Sequence, residues 1–189
     1  MPRTAIGTMA LVLTFLWASH GFPAGDLWVD VPFVQQPKQL CGAACISMVM
    51  QYWAGPAVPS TDRSVWAVPQ IAKSLYQPEL KGILGREMER YFRDNGFQTF
   101  IIAATVMDLD HHLSKGRPLI VCLQPKRGAP YHYVVVVGLQ NRGSLVLLND
   151  PAAKKLSKMP REGFDRAWQA TGNWTLLALP EDVRSRREN

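Results

Sequence analysis

Cysteine is scarce. The 189-residue chain has three, Cys41, Cys45 and Cys122, and no pair spaced as CxxC. Three thiols are too few for a disulfide scaffold, and an odd number leaves at least one free. Histidine is almost as rare, and the four present do not fall at metal-ligand spacing. His111 and His112 are adjacent, so on a helix they point in different directions. This pattern gives no structural zinc site. There is no GxxxxGK[ST] phosphate loop, which removes that class of ATPase. Lysine and arginine outnumber acidic residues 21 to 15. They are scattered, apart from Arg184, Arg186 and Arg187, and form no basic helix or basic-aromatic stripe, so nucleic acid is not an indicated partner. No apolar run reaches the ~20 residues that span a bilayer comfortably. Internal repeats and long low-complexity segments are also missing.

The chain is 47% hydrophobic, enough for one domain with a substantial core. Residues 1–21 read as an export signal: Arg3 supplies the positive start, Ala5 to Ala18 are mostly apolar, and Ser19-His20-Gly21 offers small residues where a signal peptidase cuts. No cysteine follows the apolar stretch, which argues against a lipid anchor. The mature chain is expected to start between Phe22 and Asp26 and to be periplasmic or extracellular, an uncleaved N-terminal membrane anchor being the alternative. A linker at 22–28, a single domain at 29–180 and a charged tail at 181–189 complete the division.

The stretch "LWVDVPFVQQPKQL" alternates and then breaks at Pro37, which predicts a short strand followed by a loop. Helical spacing of Ala44, Cys45, Met48, Val49 and Tyr52 predicts a mostly buried helix from Cys41 to Trp53, stopped by Gly55-Pro56. A Pro/Ser loop at 57–68 and short helices at 69–76, 85–95 and 108–115 follow. Strands are expected at "FQTFIIAA", "RPLIVCLQP", "YHYVVVVGL", "SLVLLNDP" and "NWTLLALP", with an amphipathic helix at "REGFDRAWQATG". The fold class is therefore α+β, N-terminal helices packed on an antiparallel sheet.

His132 opens one apolar strand and Asp150 closes the next. Each alone is ordinary: histidines often end strands, and aspartate before proline favours turns. A hairpin centred on Asn141 would set the two directly opposite, at Cβ separations of roughly 4.5–5.5 Å. Polar groups in that apolar setting call for partners or a task. Cys41 stands where the Pro37 loop meets the helix. The positive end of the helix dipole favours its thiolate, and a nearby histidine would favour it further. Gly42 would leave room for a substrate carbonyl, and a glutamine just upstream, Gln35 or Gln36, could donate to an oxyanion. Cys45, one turn inward, and Cys122, mid-strand, read as buried core thiols. Tyr131 and Tyr133, flanking His132, are expected to pack against a helix, and Trp66 is a candidate for a substrate rim.

The blocks "VPFVQQPKQLCGAAC", "YHYVVVVG" and "VLLNDPA" resemble those of bacterial papain-like cysteine peptidases of the double-glycine leader peptidase type, across Val29 to Leu179. The resemblance implies a papain-like fold and peptide-bond hydrolysis without metal or cofactor. It implies Cys41 as nucleophile, His132 as general acid and base, and Asp150 as the residue orienting the histidine. Aligning "VPF" gives Gln36 as the oxyanion donor, whereas counting back from Cys41 gives Gln35. The expected partner is a peptide or protein substrate, with membrane export machinery nearby. Two further readings stay open on the same core: a non-catalytic peptide-binding module and an acyl or peptidyl transferase. The chain departs from transporter-fused relatives, which act from the cytoplasmic side on leaders ending in Gly-Gly. It has no transmembrane bundle or ATPase motif and carries an export signal, so that substrate does not transfer directly.

Overall fold

The computed structural model describes residues 26–55 and 66–181. The export signal, most of the Pro/Ser loop and the tail from 182 lie outside the described residues. Within them the chain runs β1 (Leu27–Trp28), α1 (Cys41–Ala54), α2 (Val68–Leu75), α3 (Gly85–Asp94), β2 (Phe97–Ala103), α4 (Val106–Leu113), β3 (Leu119–Leu123), β4 (His132–Gln140), β5 (Leu145–Asn149), β6 (Ser157–Pro160), α5 (Arg161–Gln169) and β7 (Trp174–Pro180). The strands form one antiparallel sheet in the order β2-β7-β3-β4-β5-β6, with β1 paired to β4. Helices α1, α3 and α5 pack on it. This is the α+β arrangement expected from the sequence.

Helix α1 is the centre of the core. Every residue from Gly42 to Met50 is buried, so no stripe of the helix is left for water over these turns. It lies against β4, whose Val134 to Val137 are fully buried. Helix α4 starts two residues earlier than the sequence suggested, because Thr105 and Asp108 form a reciprocal capping box at its N-terminus. Strand β6 was not expected: four residues ending in proline carry little strand signal, yet they pair along β5 at the sheet edge.

The β4–β5 hairpin departs from the simple register. Its turn holds four residues, with Asn141, Arg142 and Gly143 at positive φ. From the turn, Gln140 faces Leu145, Leu139 faces Val146 and Gly138 faces Leu147. Val137 is then an extra residue, a β-bulge, and beyond it Val136 faces Leu148 and Val135 faces Asn149. Asp150 therefore follows the end of the ladder instead of lying directly opposite His132, and the two meet on a diagonal of the same face.

Gly138 lets β1 close against this bulge. A β-carbon there would fall 2.5 Å from the Leu27 carbonyl oxygen and 2.8 Å from the Trp28 β-carbon. Gly138→Ala should cost about 1–3 kcal/mol through overpacking against backbone that cannot yield cheaply. The check is thermal unfolding, in which this variant should lose several degrees of Tm while Gly82→Ala, where the nearest atom is 3.8 Å away, stays close to the parent.

Candidate active site

The loop before α1 turns sharply into the helix. The Leu40 N–H donates to the Pro37 carbonyl, and Gln39 takes a left-handed conformation (φ 64°) uncommon outside glycine. Its side-chain oxygen accepts a hydrogen bond from the Tyr76 hydroxyl at 3.0 Å. Leu40 supplies no side-chain cap, and the first turn of α1 contains no acidic residue. Cys41, half-buried, thus opens the helix at the positive end of an uncapped dipole.

Three groups meet at this point. The Cys41 sulfur is hydrogen-bonded to the His132 side chain and to the backbone N–H groups of Tyr133 and Gly42. His132 Nε2 lies 2.7 Å from Asp150 Oδ1, which leaves Nδ1 for the thiol. Asp150 Oδ1 also accepts the Ala152 N–H at 2.9 Å, an Asx-turn that fixes the carboxylate in the loop after β5. Burial works against each charge in this cluster. For Cys41 it is the largest influence and raises the pKa, but the bonds from His132, Tyr133 and Gly42 outweigh it and hold the thiol below its ordinary value. Burial likewise disfavours imidazolium, yet the hydrogen bonds to Asp150 and Cys41 push His132 up to about 9. Asp150 is held below the usual carboxylate range, burial again being overcome by the bond to His132.

The other thiols differ. Burial drives Cys45 well above the ordinary range and Cys122 up to about 12, so neither forms thiolate readily. All three cysteines are free.

Among the remaining expectations, Gln36 is half-buried, and its N–H donates to the Pro151 carbonyl at 2.9 Å, beside Asp150. Its side-chain oxygen is buried with no hydrogen-bond partner among the described residues. Gln35 is exposed. Gly42 does not open a path for substrate. A β-carbon there would lie 3.2 Å from Ile83 and 3.5 Å from the Tyr133 ring, so the glycine serves close packing of α1 on the sheet. Tyr133 does pack inward, edge-on to Trp174 with centroids 5.4 Å apart, whereas Tyr131 is exposed. Trp66 sits beside Ala54 and Gly55, roughly 20 Å along α1 from Cys41, and does not border the site. Two contributors give no clear signal in the sequence. One is the Tyr133 N–H, which a sequence cannot display. The other is Asn149, a lone amide closing the apolar run "LVLL", whose side chain proves fully buried.

A thiol at the tip of a buried helix thus faces a histidine that opens β4 and an aspartate in the loop just after β5. The model of the Peptidase_C39 like family matches residues 28–176, and the chain belongs to that family. Its structure is similar to the peptidase domain of Streptococcus ComA, a bi-functional ABC transporter involved in a quorum sensing pathway (TM-score 0.62, 22% identity, 80% of this chain and 100% of that one). It is also similar to a double glycine motif protease from an AMS/PCAT transporter in complex with the leader peptide (TM-score 0.58, 22% identity, 84% and 99%). A third likeness is the peptidase domain of Streptococcus mutans ComA (TM-score 0.54, 20% identity, 78% and 98%). At these identities the likeness is one of fold. No curated protein matches the sequence.

Thiol chemistry should separate the three cysteines. At neutral pH, iodoacetamide should modify Cys41 first and leave Cys45 and Cys122 largely intact in the folded protein, as peptide mapping would show. His132→Ala should return the Cys41 titration toward the ordinary thiol value and slow its alkylation at pH 7 about ten-fold or more, since a free thiol is only a few per cent thiolate there. Equal labelling of the three sites would contradict the electrostatic account.

Proposed function

We propose that this protein is a cysteine peptidase acting through Cys41, His132 and Asp150. One observation carries the reading: the helix-tip thiol is bonded to an imidazole that a carboxylate holds at 2.7 Å from its other side. Membership of the C39-like peptidase family supports it.

The reaction is acyl transfer. The Cys41 thiolate attacks the peptide carbonyl carbon, a C–S bond forms and the oxygen becomes an oxyanion. We assign its donors as the Cys41 backbone N–H and one glutamine amide. Gln36 is favoured by its inward position next to Pro151, and Gln35 is the alternative by spacing from Cys41. His132, protonated, gives its proton to the leaving amine nitrogen as the C–N bond breaks. Neutral His132 then takes a proton from water, whose oxygen attacks the thioester. The C–S bond breaks, the acid product departs and the thiolate–imidazolium pair returns. Asp150 keeps the ring oriented and stabilises its cation throughout. With residues 1–21 read as an export signal, the substrates are peptides or proteins outside the cytoplasm. The leader-peptide complex of the PCAT peptidase supports a peptide as the substrate class.

A peptide-library digest with the purified protein tests this, run beside Cys41→Ala and Cys45→Ala. Cleavage should vanish in the first variant and persist in the second, and the reverse result would overturn the assignment. Asp150→Ala should slow turnover by less than loss of Cys41. Of Gln35→Ala and Gln36→Ala, the true oxyanion donor should cost about 10²–10³ in kcat. Products should carry free carboxyl ends even when an amine acceptor is added.

The pH profile has a defined sign. The active pair needs Cys41 ionised and His132 protonated. Activity should rise through the lowered Cys41 pKa and fall on the alkaline side as His132 loses its proton at about 9. Asp150→Asn, which removes the carboxylate charge, should move the alkaline limb to lower pH.

A further inference from the structure

Two irregular segments carry the groups placed around Cys41. One runs from β1 through Gln35 and Gln36 to α1, and the other from β5 through Asp150 to β6. Neither lies in the sheet ladder at these residues. Three ties join them. The Gln36 N–H donates to the Pro151 carbonyl at 2.9 Å, a backbone bond indifferent to side-chain identity. Lys155 Nζ lies 2.6 Å from Asp30 Oδ1, a pair at the surface where Asp30 is 69% exposed, and such pairs contribute little. The third tie is the Asn149 side chain.

Asn149 is completely buried, one of three buried polar residues among those described. An amide in that position is tolerated only when its donors and acceptor are engaged. Its Nδ2 donates to the Val31 carbonyl at 3.0 Å, on the segment leading to the glutamines. Its Oδ1 accepts the Leu156 N–H at 3.1 Å, at the far end of the Asp150 loop. Leu156 is held there at positive φ (55°), a conformation uncommon for a non-glycine residue. Inside the loop, the Asp150 N–H donates to the Lys154 carbonyl and the Ala153 N–H to the Asp150 carbonyl. The amide of Asn149 therefore spans the base of the Asp150 loop and grips the glutamine segment with its other end. On the backbone side Asn149 is the last ladder pair of β5, opposite Val135. It stands where the rigid sheet hands over to the loop.

We propose that Asn149 is a positioning residue of the catalytic site, its buried amide setting the Asp150 loop and the Gln35–Gln36 segment in place relative to one another and, through Asp150, aiming His132 at Cys41. This rests on the peptidase reading above. The side chain touches no reacting atom and acts only through its neighbours. An aspartate at the same position would keep the shape and the acceptor for Leu156. It would lose the donor for Val31 and set a carboxylate against a carbonyl oxygen.

The test compares the parent with Asn149→Ala, Asn149→Asp and Asp30→Asn. Each is measured for peptide cleavage, for Tm and for the imidazole titration of His132 by NMR, which needs no turnover. The titratable groups facing that ring are Cys41 and Asp150, and the Cys122 thiol lies against its backbone. In folded Asn149→Ala, kcat should fall about 10- to 100-fold with KM little changed, the scale of a misplacement of about 1 Å. The His132 titration should move down from about 9 toward its ordinary value. Asp30→Asn, which loosens only the surface tie, should leave kcat and titration unchanged. A lower Tm with kcat and the His132 titration intact would make Asn149 merely structural and overturn the proposal. Should the alanine variant fail to fold, Asn149→Asp carries the same comparison, and failure of both to fold also overturns it. If the parent cleaves no peptide, the peptidase reading fails while the His132 titration still reports whether Asn149 places Asp150.

Discussion

One extra residue in β4 decides which face of the sheet His132 shares. Side chains alternate along a strand, so a single-residue slip turns every later one over. Had the register that leaves the turn continued unbroken, Asp150 would have come opposite Val135 and pointed away from the imidazole. The bulge at Val137 restores the parity, and the carboxylate reaches His132 Nε2 at 2.7 Å. The bulge is accommodated because Gly138 lets β1 approach within reach of the Val137 carbonyl, which accepts the Val29 N–H at 2.7 Å. A local irregularity in the sheet thus precedes, physically, any chemistry at the helix tip.

The same cluster shows how neighbours decide the character of a thiol. Cys41, Cys45 and Cys122 share a side chain and are all removed from water to some degree. Desolvation raises all three. Only Cys41 has an imidazole and two backbone N–H groups directed at its sulfur, and only there is the penalty overcome. The histidine is reciprocally dependent: burial alone would strip its proton, and Asp150 and Cys41 together retain it. Each charge in the trio is tolerable only because the other two are present, so the site behaves as one ionic unit rather than three titrating residues.

Much of this was legible in the residues. The apolar spacing from Ala44 to Tyr52 marked α1, and glycine and proline marked its limits. His132 and Asp150 stood out as polar ends of apolar strands. Their meeting was anticipated, but as a directly opposed pair, because neither the register of the turn in "LQNRGS" nor a bulge in a run of valines can be read from the sequence. Strand β6 was hidden because "SKMP" has no alternation and ends in a residue that cannot donate. Gly42 was misread since a glycine beside a reactive cysteine suggests access, while the ring that fills its space, Tyr133, lies far along the chain. Trp66 was misplaced for the same reason: a position between two helices gives no direction, and Trp66 lies near the far end of α1. Contacts distant in sequence were the ones that sequence did not reveal.

The bare start of α1 has a consequence of its own. The Leu40 carbonyl accepts the Ala44 N–H, but its side chain offers no oxygen to the N–H groups before that, at a position usually taken by serine, threonine or aspartate. In a resting protein that omission leaves a helix unfinished. On the peptidase reading, the atom that finishes it is the substrate's, for the oxygen that becomes charged during attack arrives where a cap would sit. The first-turn donors then divide between two tasks: the Gly42 N–H serves the sulfur of Cys41, and the Cys41 N–H is left for the tetrahedral species.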